Sequence, residues 1–133
     1  MYHELLYYTL AHPSLSFIHQ NVVDAYAAQK ADDTTKPIAI VFALLGLYLY
    51  VERGFTGRQV QKAHMQLAKR RKQWLRPQLP RERGSVAIAD VIGAAPGRQR
   101  DAMIHDWCVS VWEAWRSARD QIVELARDEL GIE

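Results

Sequence analysis

The sequence predicts an all-α fold, in which four main helices form one domain over residues 1–133, arranged as an antiparallel bundle. Two observations lead to this prediction. The chain has 133 residues, of which 49% are hydrophobic and 24% are charged, as in a globular domain that can bury a core of its own. Apolar residues also recur at helical spacing in four long segments, and capping residues, prolines or glycines mark the ends of these segments.

The first clear helix is predicted over residues 15–30, with Ser14 suited to its N-cap position. Ahead of it, residues 1–13 are ambiguous, and Pro13 ends whatever structure precedes it. The apolar residues of this helix follow two neighbouring lines at helical spacing. One line contains Ile18, Val22 and Ala25, and the other contains His19, Val23 and Tyr26.

The second helix is predicted from Pro37, which suits the first helical position, to about Arg53, with Gly54 as its C-cap. Its apolar residues cover all faces, so it lies at the centre of the core or is shared with a partner chain in a homodimer. Gly46 costs about 1 kcal/mol in the interior of a helix, and a close helix crossing is the compensation we expect there.

The third helix has the clearest start signal, because Thr56 and Gln59 have the spacing of a capping box. It is predicted over residues 57–75, ending before Pro77. The residues predicted to face inward are Val60, Ala63, His64, Leu67 and Trp74, and those predicted to face outward are Arg58, Lys62, Lys69 and Lys72.

The rest of the chain, residues 76–133, begins with a loop at residues 76–84. Residues 85–95 suit a short strand or a short helix, and a helix after Ile88 is favoured. A last long helix is predicted from residue 98 to at least 118, and apolar residues up to Leu130 extend its pattern. Its core stripe contains Ile104, Trp107, Cys108, Val111 and Trp115.

The location of the protein is predicted as cytoplasmic. The N-terminus lacks the basic region and cleavage site of a secretory signal. The longest apolar run, residues 38–51, would span about 21 Å as a helix, short of the roughly 30 Å of a bilayer core. Cys108 is the one cysteine, which excludes an internal disulfide framework and a zinc site built from several cysteines.

Charge is distributed unevenly along the chain. Residues 53–83 contain ten basic groups and one acid, whereas residues 101–133 contain eight acids and three bases. Two interpretations are open. In the first, the basic segment, residues 53–83, meets the acidic tail, residues 101–133, within the fold or across a dimer. In the second, the basic segment binds a polyanion.

The motif in the first helix carries a family resemblance. His19 precedes Val23-Asp24-Ala25-Tyr26-Ala27, and Gln29 follows one residue later. This pattern resembles that of a bacterial family of small uncharacterised proteins. Further support comes from Gly46-Leu47-Tyr48 with Glu52, from Trp74, from Ala89-Asp90-Val91, from Trp107-Cys108, and from residues 111–115. The resemblance supports the fold and the importance of His19 and Asp24, and it implies no activity.

The leading functional hypothesis is a site for a divalent metal or a small ligand that uses His19 and His64. These histidines come from separate helices, and helical domains build metal sites from side chains that project inward in this way. Neutral imidazole suits zinc, nickel or iron. The further ligands or supporting neighbours would be Asp24, Tyr26, His12 and His105.

The same residues also have purely structural interpretations. His19 could be a core histidine bonded to a backbone carbonyl or to Tyr26, and His105 could lie at the surface. Asp24 is five residues from His19, about 140° around the helix, so it is expected to pair with a tyrosine or an arginine of another helix. Cys108 lies on an apolar stripe, which favours an inert thiol of raised pKa over a nucleophile.

The alternative function is a non-enzymatic interaction module that binds nucleic acid or a protein partner through residues 53–83. The run of residues 69–72, with Lys62, Arg58 and Arg76, could follow a phosphate backbone. Trp74 could stack on a base, but its inward position favours a core role. Whether the protein is an enzyme stays open at this point.

Overall fold

The computed structural model describes residues 1–11, 16–70 and 73–133, without the side chains of Ser16 and Phe17. Within these ranges the chain contains seven α-helices and no strand, which confirms the all-α class. The helices are α1 (Tyr2–Ala11), α2 (Ser16–Lys30), α3 (Pro37–Arg53), α4 (Gly57–Arg70), α5 (Ile88–Gly93), α6 (Arg98–Ala114) and α7 (Arg119–Leu130). The predicted number of four helices is wrong, because α1, α5 and α7 are separate elements. The antiparallel bundle stays a prediction.

Helix α3 has the predicted bounds and lies at the centre of the fold. Pro37 opens it, and Gly54 ends it in the left-handed conformation, with φ of 68° and its N–H donated to the Leu49 carbonyl. Helices α2, α4, α6 and α7 all pack against it. A single chain therefore covers this apolar helix, and its burial does not require a second copy.

The predicted close crossing at Gly46 is present between α2 and α3. A Cβ atom placed on Gly46 would collide with the Asp24 carboxyl group and would lie 2.6 Å from its Cγ. The absence of a side chain at Gly46 thus lets α2 approach α3 at the position of Asp24, which compensates for the cost of a glycine inside a helix.

Helix α4 begins as predicted and is shorter than predicted. The Thr56 N–H donates to Gln59 Oε1 at 2.8 Å, and the Gln59 N–H donates to Thr56 Oγ1 at 3.2 Å, which completes the capping box. The described helix ends at Arg70, and residues 73–80 are not helical. Tertiary contacts hold this segment instead, because Trp74 packs edge-on against the ring of Phe42 with centroids 5.4 Å apart.

The predicted long helix after residue 98 is also broken. Helix α6 ends at Ala114, and one 3-10 turn over Arg116–Ala118 leads into α7. Trp115 at the break is fully buried, and its Nε1 donates to the Ala28 carbonyl at 3.2 Å. This anchored side chain fixes the bend, and α7 packs on α3 and α4.

The short helix predicted after residue 88 is confirmed as α5. Gln29 at the end of α2 fastens the segment that precedes α5. Its Nε2 donates to the carbonyls of Arg83 and Val86 at 3.2 and 2.8 Å, and its Oε1 accepts from Trp107 Nε1 at 2.9 Å.

In the part of the chain that the structure describes, no helix has the length and apolar character needed to cross a membrane.

Candidate functional site

The structure gives each described histidine of the predicted metal site a separate partner. His19 Nδ1 lies 2.9 Å from Thr9 Oγ1 on α1. His64 Nε2 donates to the Phe42 carbonyl on α3 at 2.7 Å, and His105 Nδ1 lies 2.8 Å from the Tyr50 hydroxyl. Burial lowers the pKa of His19, and it also lowers the pKa of His64 against the opposing effect of the carbonyl bond. Both imidazoles are therefore neutral at pH 7.

The described residues do not form a metal centre with three or more ligands. Among the described residues, no group of three or more His, Cys, Asp or Glu side chains could hold a metal ion. His12 lies outside the described residues. Tyr26, predicted as a neighbour of the site, stacks on Tyr2 of α1 with ring centroids 3.8 Å apart. The use of His19 and His64 as metal ligands stays a prediction.

Asp24 is the most unusual polar residue of the core, with 3% of its surface exposed. Its Oδ1 accepts a hydrogen bond from Gln20 Nε2 at 2.9 Å, and its Oδ2 has no partner among the described residues. The bonding partner is thus on the same helix, and the expected tyrosine or arginine of another helix is not used. Burial raises the pKa of Asp24 well above its ordinary value, which the bond from Gln20 only partly opposes.

Asn21 and Cys108 lie near Asp24 in the same part of the core. The Asn21 side chain is buried, and its Oδ1 has no partner among the described residues. The Cys108 thiol donates to the Asn21 carbonyl at 3.6 Å. Burial is the main cause that raises the pKa of Cys108, and the nearby Asp24 adds to it. The thiol is therefore protonated and inert, as the sequence indicates.

Helix α4 presents three exposed cations along one line of its outer face. Arg58, Lys62 and Lys69 are exposed and lie within about 40° of one another around the helix axis, and we call them the basic stripe. Exposed Met65 lies between them along the helix, and residues 57–70 contain no acid. The opposite face is buried in the core through Val60, Ala63 and Leu67.

The cations of the basic stripe lack neutralising partners within the described residues. Arg58, Lys62, Lys69 and the neighbouring Arg70 make no ion pair in that part of the chain. In the acidic tail, Arg119 pairs with Glu52 of α3 at 2.6 Å. An ion pair between the tail and these four cations is thus not seen among the residues that the structure describes.

Other basic residues of the 53–83 segment have structural roles. Arg76 donates to the carbonyls of Thr35 and Asp33 at 2.8 and 2.7 Å, and its predicted contact to a phosphate backbone stays a prediction. Arg83 donates to the carbonyls of Pro80 and Ala31 at 2.8 and 2.6 Å. The predicted run of residues 69–72 is described only in part, because residues 71 and 72 lie outside the description.

A family model described as a family of unknown function, DUF5946, matches residues 1–116. The chain belongs to DUF5946. No curated protein and no solved structure matches the chain. The range matched to DUF5946 contains the motif on α2 and the basic stripe on α4, and it ends before α7.

The sequence of this DUF5946 chain did not identify Gln20 and Asn21 as candidate site residues. The spacing of Gln20 and Asp24 by four residues was a usable signal, because such pairs are neighbours on a helix surface. The burial of Asn21 had no comparable signal, since it depends on how α6 packs on α2.

Proposed function

We propose that this DUF5946 chain is a non-enzymatic module that binds nucleic acid through the basic stripe on α4. The observation that carries the proposal is the exposure of Arg58, Lys62 and Lys69 on one line without neutralising acids among the described residues. Unpaired cations in a row attract the phosphates of a nucleic acid and release its condensed counterions, which is the main source of non-specific affinity.

The dimensions of the stripe suit a short stretch of backbone. Arg58 and Lys69 are eleven residues apart, so the stripe is about 16 Å long, which corresponds to roughly five nucleotides of one strand. Trp74 is half-buried against Phe42 and has a packing role, so base stacking is not part of the proposal. We therefore expect contacts to phosphates and binding that depends little on base sequence.

A protein partner fits the same face less well. Protein interfaces have an apolar centre and are depleted in lysine. On the described part of α4, Met65 is the one large apolar side chain that is exposed, and two of the three stripe cations around it are lysines. Gln61 and Gln66 are also exposed and provide hydrogen-bonding groups beside the stripe.

Fluorescence anisotropy with labelled 20-nucleotide RNA and DNA, single-stranded and duplex, tests the proposal at low salt. We expect the natural chain to bind with a Kd on the order of 10⁻⁴–10⁻⁶ M, typical of non-specific contacts. The triple variant Arg58→Gln, Lys62→Gln and Lys69→Gln should lose at least about tenfold in affinity, because all three phosphate contacts are removed.

The matched control neutralises Lys30, Arg98 and Arg127, three exposed cations away from the stripe. It changes the net charge equally and should retain most of the affinity. Equal losses in both triple variants, or no binding to any of the four probes, would overturn the proposal. If the chain binds an acidic protein and none of these nucleic-acid probes, the basic stripe would be a site for a protein partner.

A divalent metal held by His19 and His64 is the other proposal for this chain. It is supported by their neutral imidazoles, the form that binds zinc, nickel or iron. Elemental analysis of the untagged protein after gel filtration tests it. The proposal expects about one equivalent of metal, lost in His19→Ala and in His64→Ala, with the exposed His3→Ala as control. Absence of metal after incubation with each ion would contradict it.

A further inference from the structure

A cleft of about 460 Å³ lies between the segment at residues 80–85 and the C-terminal end of α6. Its volume falls within the range of small-molecule sites in proteins. The polar side chains that line it are Arg81, Glu82, Ser85, Ser110, Glu113 and Arg116. It is separate from the basic stripe and from the histidines.

The loop that forms one wall of this cleft is held in place by hydrogen bonds to the rest of the protein. Arg83 points into the protein and donates to the carbonyls of Pro80 and Ala31, and its guanidinium group lies 5.4 Å from the ring centroid of Trp115. Gln29 holds the carbonyls of Arg83 and Val86. A loop without regular secondary structure is thus fixed by its own Arg83 and by Gln29 of α2, and a fixed wall reduces the entropic cost of binding a ligand.

The loop also touches α6 directly at Ser110, one of the residues that line the cleft. Gly84 has φ of 106°, a conformation that favours glycine, and an added Cβ atom would lie 2.6 Å from Ser110 Oγ. The Val86 N–H donates to the same Oγ at 3.2 Å. Ser110 therefore keeps its own hydroxyl proton available as a donor.

Both signs of charge are present around the cleft. Arg81 and Arg116 provide guanidinium groups, which suit a carboxylate, and the Nη1 of Arg116 donates to the Glu113 carbonyl at 3.2 Å. Glu82 and Glu113 provide carboxylates, which suit an ammonium group and disfavour a ligand with several negative charges.

We propose that this cleft binds a small zwitterion, a free α-amino acid or a dipeptide. The arginines would hold its carboxylate, the glutamates its ammonium group, and the serine hydroxyls its remaining polar atoms. The size of the cleft and the fixed loop wall favour a preformed site. The inference stands on residues that the nucleic-acid proposal does not use.

Thermal-shift measurements with the twenty free amino acids and a panel of dipeptides at 10 mM test this proposal, followed by titration calorimetry on any ligand found. We expect at least one zwitterion to raise Tm. Its N-acetyl and its amide derivatives should each bind roughly tenfold or more weakly, since each lacks one of the two charges. Arg116→Gln and Glu113→Gln should weaken binding by a similar factor.

The matched controls are Arg98→Gln and Asp106→Asn, which change exposed charges elsewhere on α6. They should leave the affinity unchanged, and the Tm of each variant without ligand checks that it folds. The proposal is overturned if no zwitterion in the panel raises Tm. It is equally overturned if the N-acetyl derivatives bind as well as the free amino acids, because the cleft would then recognise an anion only.

Discussion

Asp24 combines almost complete burial with a single described hydrogen-bond partner, Gln20. Its burial raises its pKa, so the folded chain holds a proton on this carboxyl that the unfolded chain releases above about pH 4. Because the folded state then binds more protons than the unfolded state, this group makes the free energy of unfolding fall as the pH rises. Below the pKa of the unfolded chain both states are protonated, and this penalty is absent.

Replacement of this carboxyl by an amide tests that argument. Asp24→Asn does not titrate, so the natural chain should become less stable relative to the variant as the pH rises from about 4, by at most about 1.4 kcal/mol per pH unit. Urea unfolding at pH 4, 5, 6 and 7 measures the difference. Asp106→Asn, at an exposed position, is the control and should show no such trend. A difference between Asp24→Asn and the natural chain that stays constant over this range would contradict a protonated Asp24.

For the candidate site, the sequence could predict the important residues but not most of their partners. The sequence singled out His19, Asp24 and His64, and all three are engaged in the helix contacts of the core. Their partners could not be read from the sequence, because Thr9, Gly46 and the Phe42 carbonyl come from other helices. Only Gln20, four residues from Asp24 on the same helix, was within reach of a spacing argument.

At the scale of helices, local signals predicted the start of α4 and both ends of α3, but they did not predict where α4 and α6 end. The capping box of α4 and the proline and glycine at the two ends of α3 are local, and the structure confirms them. The ends of α4 and α6 depend on distant contacts. Trp74 packs on Phe42, and Trp115 bonds to the Ala28 carbonyl, and neither partner lies within the same helix.

The crossing of α2 and α3 gives a test of how tightly these helices pack. Gly46→Ala should destabilise the chain by about 1–3 kcal/mol, because the added methyl group meets the Asp24 carboxyl, and this outweighs the gain of about 1 kcal/mol in helix propensity.

Denaturant unfolding of a double-mutant cycle with Asp24→Ala measures this effect. Once the carboxyl is removed, Gly46→Ala should cost much less or stabilise the chain. The same loss in both backgrounds would contradict a clash between the added methyl group and the Asp24 carboxyl.

Across the whole molecule, some basic side chains bind backbone carbonyls within the fold, and others face the solvent. Arg76 and Arg83 stabilise loops through backbone carbonyls, whereas the basic stripe faces outward on α4. The sequence predicted the basic segment as a unit, since net charge does not show which guanidinium groups a fold uses internally. The structure divides that segment, and the proposed nucleic-acid binding uses the basic stripe, which makes no ion pair with the residues that the structure describes.

The salt dependence of nucleic-acid binding tests this central proposal most directly. For duplex DNA, three phosphate contacts should give a slope of about −2.7 in log K against log salt concentration, or roughly a 40-fold loss of affinity between 50 and 200 mM salt. Removal of one stripe cation, Lys62→Gln, should make the slope shallower by about 0.9, whereas Arg98→Gln should leave it unchanged. A slope that Lys62→Gln does not alter, or an affinity that does not depend on salt, would contradict the account.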